Sequence, residues 1–508
     1  MSADYSVQRQ DALFPKGVWP VFLLGLILYV AGTWQGIGLR PDSVIYLSFW
    51  DEGRQQGPVY SMLIDLAAQL GGDRVVLARL VNLGLLLLNL SLFAHILVAA
   101  RVRTVPMIAG MVALLFLPQF LYVHQTVLSE PLALALLLGA LIFTARVMET
   151  GSWTALVLAA VLTALALLTR FSSAPLIGAC ALAILVYGRE PLSARLIQSV
   201  VYGTISSGAF LAWVAVDRIM GGAGVDRKFA LLGEPDLSTL MNAVTTVATF
   251  FLPAALPMAI LAGTVTLFLA AIVLCMVAAF LPARPGLSQP APAIVRLSML
   301  FVPLYLAFVV FTLFVEYGLT VHSRYILPVY AMVLFSALAL FGDRDFARAQ
   351  PRLARAFVAA VIAVAALNVV RGTESSYELM VDGNYYQSED WRQSPTLARV
   401  RDLPPETKIY SDGPDAIRII ARRRADFWPR HYDSRTGLPH PDYPYDGQMA
   451  TIREELARGE AVVVAFDGVD WRKYLATEQE MIDTLDLNAL FDEEDGRIYG
   501  NGDVLSGR

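Results

Sequence analysis

The feature that most constrains this chain is the recurrence of apolar runs close to twenty residues long. A helix rises 1.5 Å per residue, so each run is long enough to cross a hydrocarbon core about 30 Å thick. A backbone in lipid must satisfy its own polar groups, so such runs fold as helices that pack on one another. About eleven spans are expected, at 18–37, 76–100, 104–123, 127–147, 153–169, 172–187, 197–216, 254–281, 297–316, 324–342 and 356–371. Of 508 residues 56% are hydrophobic and only 16% charged, against about 25% charged in a soluble chain. The fold class that follows is a polytopic α-helical membrane protein.

With the amino terminus in the cytoplasm, every inside loop carries arginine: Arg101/Arg103, Arg146, Arg189/Arg195, Arg284/Arg296 and Arg344/Arg348/Arg352/Arg355. That is the bias expected of cytoplasmic loops. The net charge of −5 gives no reason to expect a nucleic-acid partner. Cys180 and Cys275 lie inside apolar runs and read as small buried hydrophobes. No small-residue cleavage site follows the first run, which reads as a retained span.

Three segments break the pattern. In the first outer loop (38–75), Val59, Met62, Leu63, Leu66, Ala67 and Leu70 recur at helical spacing. Ser61, Asp65 and Gln69 fall on the other side, so an amphipathic helix in the interface plane is expected, opened by Gly57-Pro58. The second outer loop (217–253) has Gly221, Gly222 and Gly224 ahead of Asp226, Arg227 and Lys228, a pattern of surface loop or substrate lid. Beyond residue 372 charge, proline and aromatics rise. There 408–410 and 461–466 read as strands, and 416–424 and 449–458 as helices. The chain thus divides into a membrane module, 1–371, and an extracytoplasmic α/β domain, 372–508.

Charge near a bilayer is expensive and marks function. Five groups stand out: Asp42 with Tyr46; Asp51-Glu52-Gly53-Arg54; Glu130 in Ser129-Glu130-Pro131; Arg170 in Thr169-Arg170-Phe171; and His322-Ser323-Arg324-Tyr325. The expected topology puts all five at one outer face. Acid and base gathered at a lipid–water boundary suit a reaction that needs a proton acceptor and a phosphate clamp. Read singly, Arg170 and Arg324 also fit snorkelling residues at span ends, and Glu130 fits a first-turn acid favoured by the helix dipole. No histidine pair has zinc spacing, and there is no P-loop, Rossmann fingerprint or Gly-x-Ser-x-Gly elbow.

In order along 18–342, Asp42-x-x-x-Tyr46, Gly57-Pro58-Val59-Tyr60, Ser129-Glu130-Pro131, Leu168-Thr169-Arg170 and Arg324-Tyr325-Ile326-Leu327-Pro328 resemble the GT-C glycosyltransferases. Within them the pattern is most similar to the bacterial relatives of protein O-mannosyltransferases, the aminoarabinose lipid A transferases and the rhizobial galacturonosyltransferases. The resemblance implies an enzyme that moves a sugar from a polyprenyl-phosphate donor to a lipid, glycan or protein acceptor on the periplasmic face of a bacterial inner membrane. It implies Asp42 as catalytic base. The family often has two adjacent acids in this loop; here Ser43 follows Asp42, so the second acid is Asp51, Glu52 or Glu130.

A hydroxyl acceptor attacks well only when a base takes its proton, and a carboxylate shielded from water is expected to have a raised pKa. Arg170 and Arg324 would clamp the phosphate, while Tyr46, Tyr60, His322, Tyr325 and Arg54 would line the substrate site. No cofactor is required, although a divalent cation fits such chemistry. A single displacement would invert the anomeric carbon. The rival class, a transporter or flippase, places ionisable groups at mid-membrane and often has inverted repeats; the sequence shows neither.

Overall fold

The computed structural model describes residues 14–47, 57–69, 71–219, 231–282, 290–440 and 443–500. Each of the eleven apolar runs folds as helix. Seven helices are long and apolar enough to cross a membrane: Arg74–Ala99, Glu130–Thr150, Leu192–Ile219, Met258–Phe280, Ala293–Val315, Ser323–Phe341 and Pro351–Asp382. An eighth span is formed if the pair Thr104–Leu115 and Pro118–His124 is counted as one, bent by 60°. Pro118 at the first turn of the second helix accounts for the bend, since it supplies no amide for the first to continue. The count of eleven is therefore not reached. Lys16–Gly32, Trp153–Thr169 and Phe171–Tyr187 are apolar but shorter helices.

Local chemistry sets several of these ends. Asp73 caps Arg74–Ala99, accepting from the amides of Val75 at 2.9 Å and Val76 at 3.3 Å. Ser152 caps Trp153–Thr169. Pro131 and Pro175 sit at first-turn positions of their helices, where a missing N–H costs nothing. Glu130–Thr150 is the most enclosed of the long helices, with 78% of its apolar window buried, so its first residues are held from all sides.

The interfacial helix forms at Val59–Ala68. It buries Tyr60, Ser61 and Ile64 against the protein and leaves Met62 and Leu66 exposed, the side open to lipid. Gly57 ahead of it touches the end of Trp153–Thr169: a Cβ there would lie 2.0 Å from the Leu168 carbonyl oxygen. That close approach holds the first outer loop against the turn that carries Arg170.

Three short extended segments from distant parts of the chain meet beside the interfacial helix. Gly38 pairs with Thr126 and Leu39 with Tyr385. The Gly38 amide donates to Gln125 O at 2.8 Å, Val127 N to Gly38 O at 2.9 Å, and Tyr386 N to Leu39 O at 3.1 Å. Asn82 staples the seam from Arg74–Ala99. Its amide donates to Thr126 O at 2.7 Å and His124 O at 3.2 Å, and its oxygen accepts from Tyr60 Oη at 2.8 Å. All its partners are fixed, so this buried polar network defines one register.

The long helix Pro351–Asp382 runs through the point where the composition changes. Beyond it lies a five-stranded mixed sheet: β1 (Lys408–Ser411), β2 (Asp426–Phe427), β3 (Ala461–Phe466), β4 (Ala489–Glu493) and β5 (Gly496–Gly500), in the order β2-β1-β3-β5-β4. β1 is parallel to β2 and β3, whereas β5 is antiparallel to β3 and β4. β3 is buried on both faces, as its unbroken apolar run requires. The expected helix at 449–458 spans Tyr445–Ala457. The one expected at 416–424 is a helical turn, Pro414–Ala416, continued by a π-turn, Ile417–Ala421. β2, β4 and β5 were not anticipated from the sequence.

The sheet domain packs on the same face as the first outer loop. Ala416, Tyr386, Trp391, Ile419 and Ile420 share one apolar cluster with Ile37, Leu39, Tyr46 and Tyr60.

Candidate active site

Asp42 lies not in an irregular loop but in the first turn of a short helix, Pro41–Leu47. Ser43 fixes that helix: its hydroxyl donates to Val127 O at 2.8 Å and accepts from Arg40 N at 3.0 Å. Ser43 thus staples the Asp42 helix to the segment before Glu130.

Glu130 opens the helix Glu130–Thr150, Arg170 follows Trp153–Thr169, and Arg324 occupies the first turn of Ser323–Phe341. The seam and the packing bring all four ends together. Arg324 pairs with Asp42 and reaches Glu130 at 3.6 Å. Arg170 pairs with Glu130 at 2.7 Å and contacts Ser129 Oγ at 3.4 Å. Charges thus alternate along a chain: Asp42, Arg324, Glu130, Arg170. Tyr46 joins it through Ser129 Oγ at 2.8 Å.

Glu130 is the deepest, with 5% of its side chain exposed, while Asp42 keeps 32% open. The Glu130 Oε2 atom is buried with no hydrogen-bond partner among the described residues. Burial by itself would push the Asp42 carboxyl up, as the sequence suggests. Arg324, backed by Arg170 and Arg40, outweighs burial and holds it below the usual carboxylate range. This corrects the expectation of a raised pKa: the guanidinium clamp and the carboxylate are in contact with each other.

A small cleft opens beside this chain. Glu130, Arg170, Arg324, Ser172, Ser173 and Tyr305 form its polar end; Ala133, Leu134, Leu137, Leu327 and Pro328 form its apolar wall. Its lining is divided like an amphiphile, with charge among the arginines and apolar surface along the leucines.

Arg40 is not among the residues that the sequence singles out. Its guanidinium donates to Tyr122 Oη and lies 3.8 Å from the centroid of the Tyr385 ring. Tyr385 has a left-handed backbone, φ 50°, which costs about 1–2 kcal/mol for a residue with a Cβ and is retained here under Arg40. Among the described residues Arg40 has no carboxylate partner. No sequence signal separated it from the other loop arginines, because its partners come from residues 122 and 385.

Of the other candidates, Tyr60 is fully buried, edge-on to Tyr46 at 5.1 Å, and bonded to Asn82. It supports the Asp42 helix from beneath and does not face the cleft lining. His322 and Tyr325 flank Arg324, their rings 5.8 Å apart. Asp51, Glu52 and Arg54 lie outside the described residues. No group of three His, Cys, Asp or Glu converges as a metal site among the described residues.

No family model matches this sequence, and no curated protein sequence does. The fold has solved counterparts. The crystal structure of ArnT from Cupriavidus metallidurans bound to undecaprenyl phosphate matches with a TM-score of 0.60 at 14% identity, over 96% of this chain and 98% of that one. Its apo state matches with a TM-score of 0.60 at 13% identity over the same shares, 96% and 98%. At such identity the likeness speaks for architecture alone, and the architecture is decided: this chain has the fold seen in ArnT.

Proposed function

We propose that this protein is a membrane glycosyltransferase that takes a sugar from a polyprenyl-phosphate donor and passes it to an acceptor hydroxyl. The observation that carries the reading is the cleft: an acid–arginine chain at one end and an apolar wall running from it. A sugar phosphate on an isoprenoid has that same division. ArnT of like fold binds undecaprenyl phosphate.

In the resting site the carboxylates satisfy the arginines. A donor phosphate entering the cleft offers Arg324 and Arg170 a competing anion, and Arg40 a first one. Arg324 then turns from Asp42 to phosphate, and Asp42 is left free to accept a proton. The acceptor oxygen attacks the anomeric carbon, its proton passes to Asp42, and the bond from that carbon to the phosphate oxygen breaks. The polyprenyl phosphate leaves as an anion held by guanidinium, so no general acid is needed. One displacement inverts the anomeric centre. Glu130 keeps Arg170 and Arg324 spaced for the phosphate. The positions of the arginines in the loops favour a site on the periplasmic face of a bacterial inner membrane, with the sheet domain on that side.

The test compares envelope lipids and glycans by mass spectrometry in three strains: one lacking the gene, one regaining the wild type, and one regaining Asp42→Asn at matched membrane level. A sugar that vanishes on deletion, returns with the wild type and stays absent with Asp42→Asn supports the reading and names the product. Full recovery with Asp42→Asn would remove Asp42 as base.

A further inference from the structure

Two asparagines lie two helical turns apart on the span Arg74–Ala99, so both face the same side of it. Asn82 and Asn89 are fully buried. Asn82 belongs to the seam beside the interfacial helix. Asn89 does not, and a buried polar side chain in a membrane span carries a cost that calls for a use.

The Asn89 Nδ2 atom lies 3.0 Å from His124 Nε2 and 2.9 Å from Pro131 O. A carbonyl only accepts, so the amide nitrogen faces Pro131 and its two hydrogens go one to each partner. Asn89 Oδ1 is buried with no hydrogen-bond partner among the described residues. Turning the amide over would set that oxygen against the Pro131 carbonyl. The orphaned oxygen is the cost of placing both donors.

The same argument fixes His124. Its Nδ1 lies 2.7 Å from the Phe120 carbonyl, which again only accepts, so Nδ1 carries the proton. Nε2 keeps its lone pair and accepts from Asn89. A proton on Nε2 would point at the Asn89 amide hydrogens. His124, fully buried, is therefore held as the neutral Nδ1–H tautomer.

Both partners of Asn89 flank one residue of the ionic chain. Pro131 follows Glu130 in the first turn of Glu130–Thr150. His124 ends the helix Pro118–His124, and its carbonyl is held by Asn82 at 3.2 Å. On the other side of Glu130, Ser129 Oγ is bonded to Tyr46 at 2.8 Å and contacts Arg170 at 3.4 Å. The backbone of Glu130 is thus fixed from before and after, and its carboxylate meets Arg170 at 2.7 Å and Arg324 at 3.6 Å.

We propose that Asn89 and His124 are positioning residues for Glu130: the neutral histidine orients the Asn89 amide onto Pro131 O, and that bond holds the Glu130 carboxylate between Arg170 and Arg324. The inference rests on the transferase reading for what Glu130 serves, and on hydrogen bonds alone for the rest.

Two readouts on the full-length protein test it. In solid-state NMR of protein labelled with nitrogen-15 histidine in lipid at neutral pH, the signals lost in His124→Gln belong to His124. A neutral ring protonated on Nδ1 is expected, and a proton on Nε2 would overturn the proposal. The second readout is a double-mutant cycle on the affinity for undecaprenyl phosphate. Asn89→Leu keeps the bulk and removes both donors, and is expected to weaken binding about tenfold, the worth of one hydrogen bond. In the Glu130→Gln background the same change is expected to cost less than about threefold, because the group it acts through is already altered. His124→Gln, which puts an amide oxygen where Nε2 stood, is expected to recover most of the affinity that the shorter His124→Asn loses. Equal losses from Asn89→Leu in both backgrounds would show that only packing was disturbed, and the proposal would fall. Thermal unfolding of the same four proteins gives the cycle without a ligand. Coupling there, in a wild type that does not bind undecaprenyl phosphate, would sink the transferase reading and leave the positioning of Glu130 standing.

Discussion

The guanidinium of Arg324 donates to the Asp42 carboxylate across 282 residues of sequence. It joins the first turn of a span to the short helix that follows the first apolar run, and it sets the charge beside the proposed base.

Because Arg324, Arg170 and Arg40 outweigh burial, Asp42 titrates below its usual value. Its ionised form is the base, and that form is present above the folded pKa. As far as Asp42 decides, wild-type transfer is therefore flat from about pH 5 upward, with the acid limb below the ordinary carboxylate value of about 4. Arg324→Gln removes the main opposing charge and lets burial act, so the acid limb moves up by about one to two units. Rates of radiolabelled sugar release from pH 4 to 8 check this. A limb that stays in place would mean that Arg324 does not govern Asp42.

Glu130→Gln keeps the shape of the side chain and leaves Arg170 without its 2.7 Å partner. A buried guanidinium stripped of its carboxylate costs about 3 kcal/mol, the low end for buried pairs because Arg170 retains 16% exposure. Thermal unfolding in detergent is expected to show that loss. The double variant Glu130→Gln/Arg170→Gln is expected to recover most of it, since no lone charge remains. Equal instability of single and double variants would point to packing at Glu130 instead.

Arg40 is held by two tyrosines and by no acid among the described residues. A cation so placed suits an anionic ligand. Arg40→Gln is expected to raise the donor KM about tenfold or more, the cost of one charge-assisted hydrogen bond, with a smaller change in kcat. Steady-state kinetics over donor concentration separate the two. A change in kcat alone would assign Arg40 to the transition state and not to the ground-state phosphate.

The arginines also bear on metal dependence. Arg40, Arg170 and Arg324 bring positive charge to the proposed phosphate site, and Asp42 and Glu130 are engaged by guanidinium. Transfer is accordingly expected to survive EDTA with less than a twofold change, an order-of-magnitude bound for a step that uses no metal charge. Loss of activity restored by Mg²⁺ would place a cation in the cleft.

The sequence carried the helices because length and apolarity are local properties, and it carried Asp42, Glu130, Arg170 and Arg324 because charge beside an apolar run is conspicuous. Their mutual pairing was not legible: it depends on how helix ends 40 to 282 residues apart converge, through the seam of Gly38, Thr126 and Tyr385. Arg40 was missed for the same reason. The count of eleven spans is not confirmed, because helices such as Phe171–Tyr187 are apolar but shorter than the runs that hydropathy outlines. β2, β4 and β5 were missed because two residues, or alternating partly exposed ones, give no run to see.

Asp412 provides a pH dependence of a different kind. Burial pushes its carboxyl up to about 7, against the lowering effect of the Phe466 amide, Ser411 and Arg472. Unfolded, it titrates near about 3.9. Between those values the folded domain holds a proton that the unfolded chain has lost, so stability falls as pH rises through that window and levels off above it. Glu455 and Glu478 run the other way: burial raises them, but Lys408 and Arg497 outweigh it, so their contribution is lost only at acid pH. Comparing pH 5.5 with pH 8 keeps both ionised, and Asp412→Asn identifies the share that belongs to Asp412. Thermal unfolding of the sheet domain in the full chain is expected to come at higher temperature at pH 5.5. Asp412→Asn, which cannot ionise, is expected to flatten the difference and to exceed the wild type at pH 8. A wild-type domain more stable at pH 8 would show that Asp412 is ionised without cost, and that the Phe466 amide and Arg472 satisfy it fully.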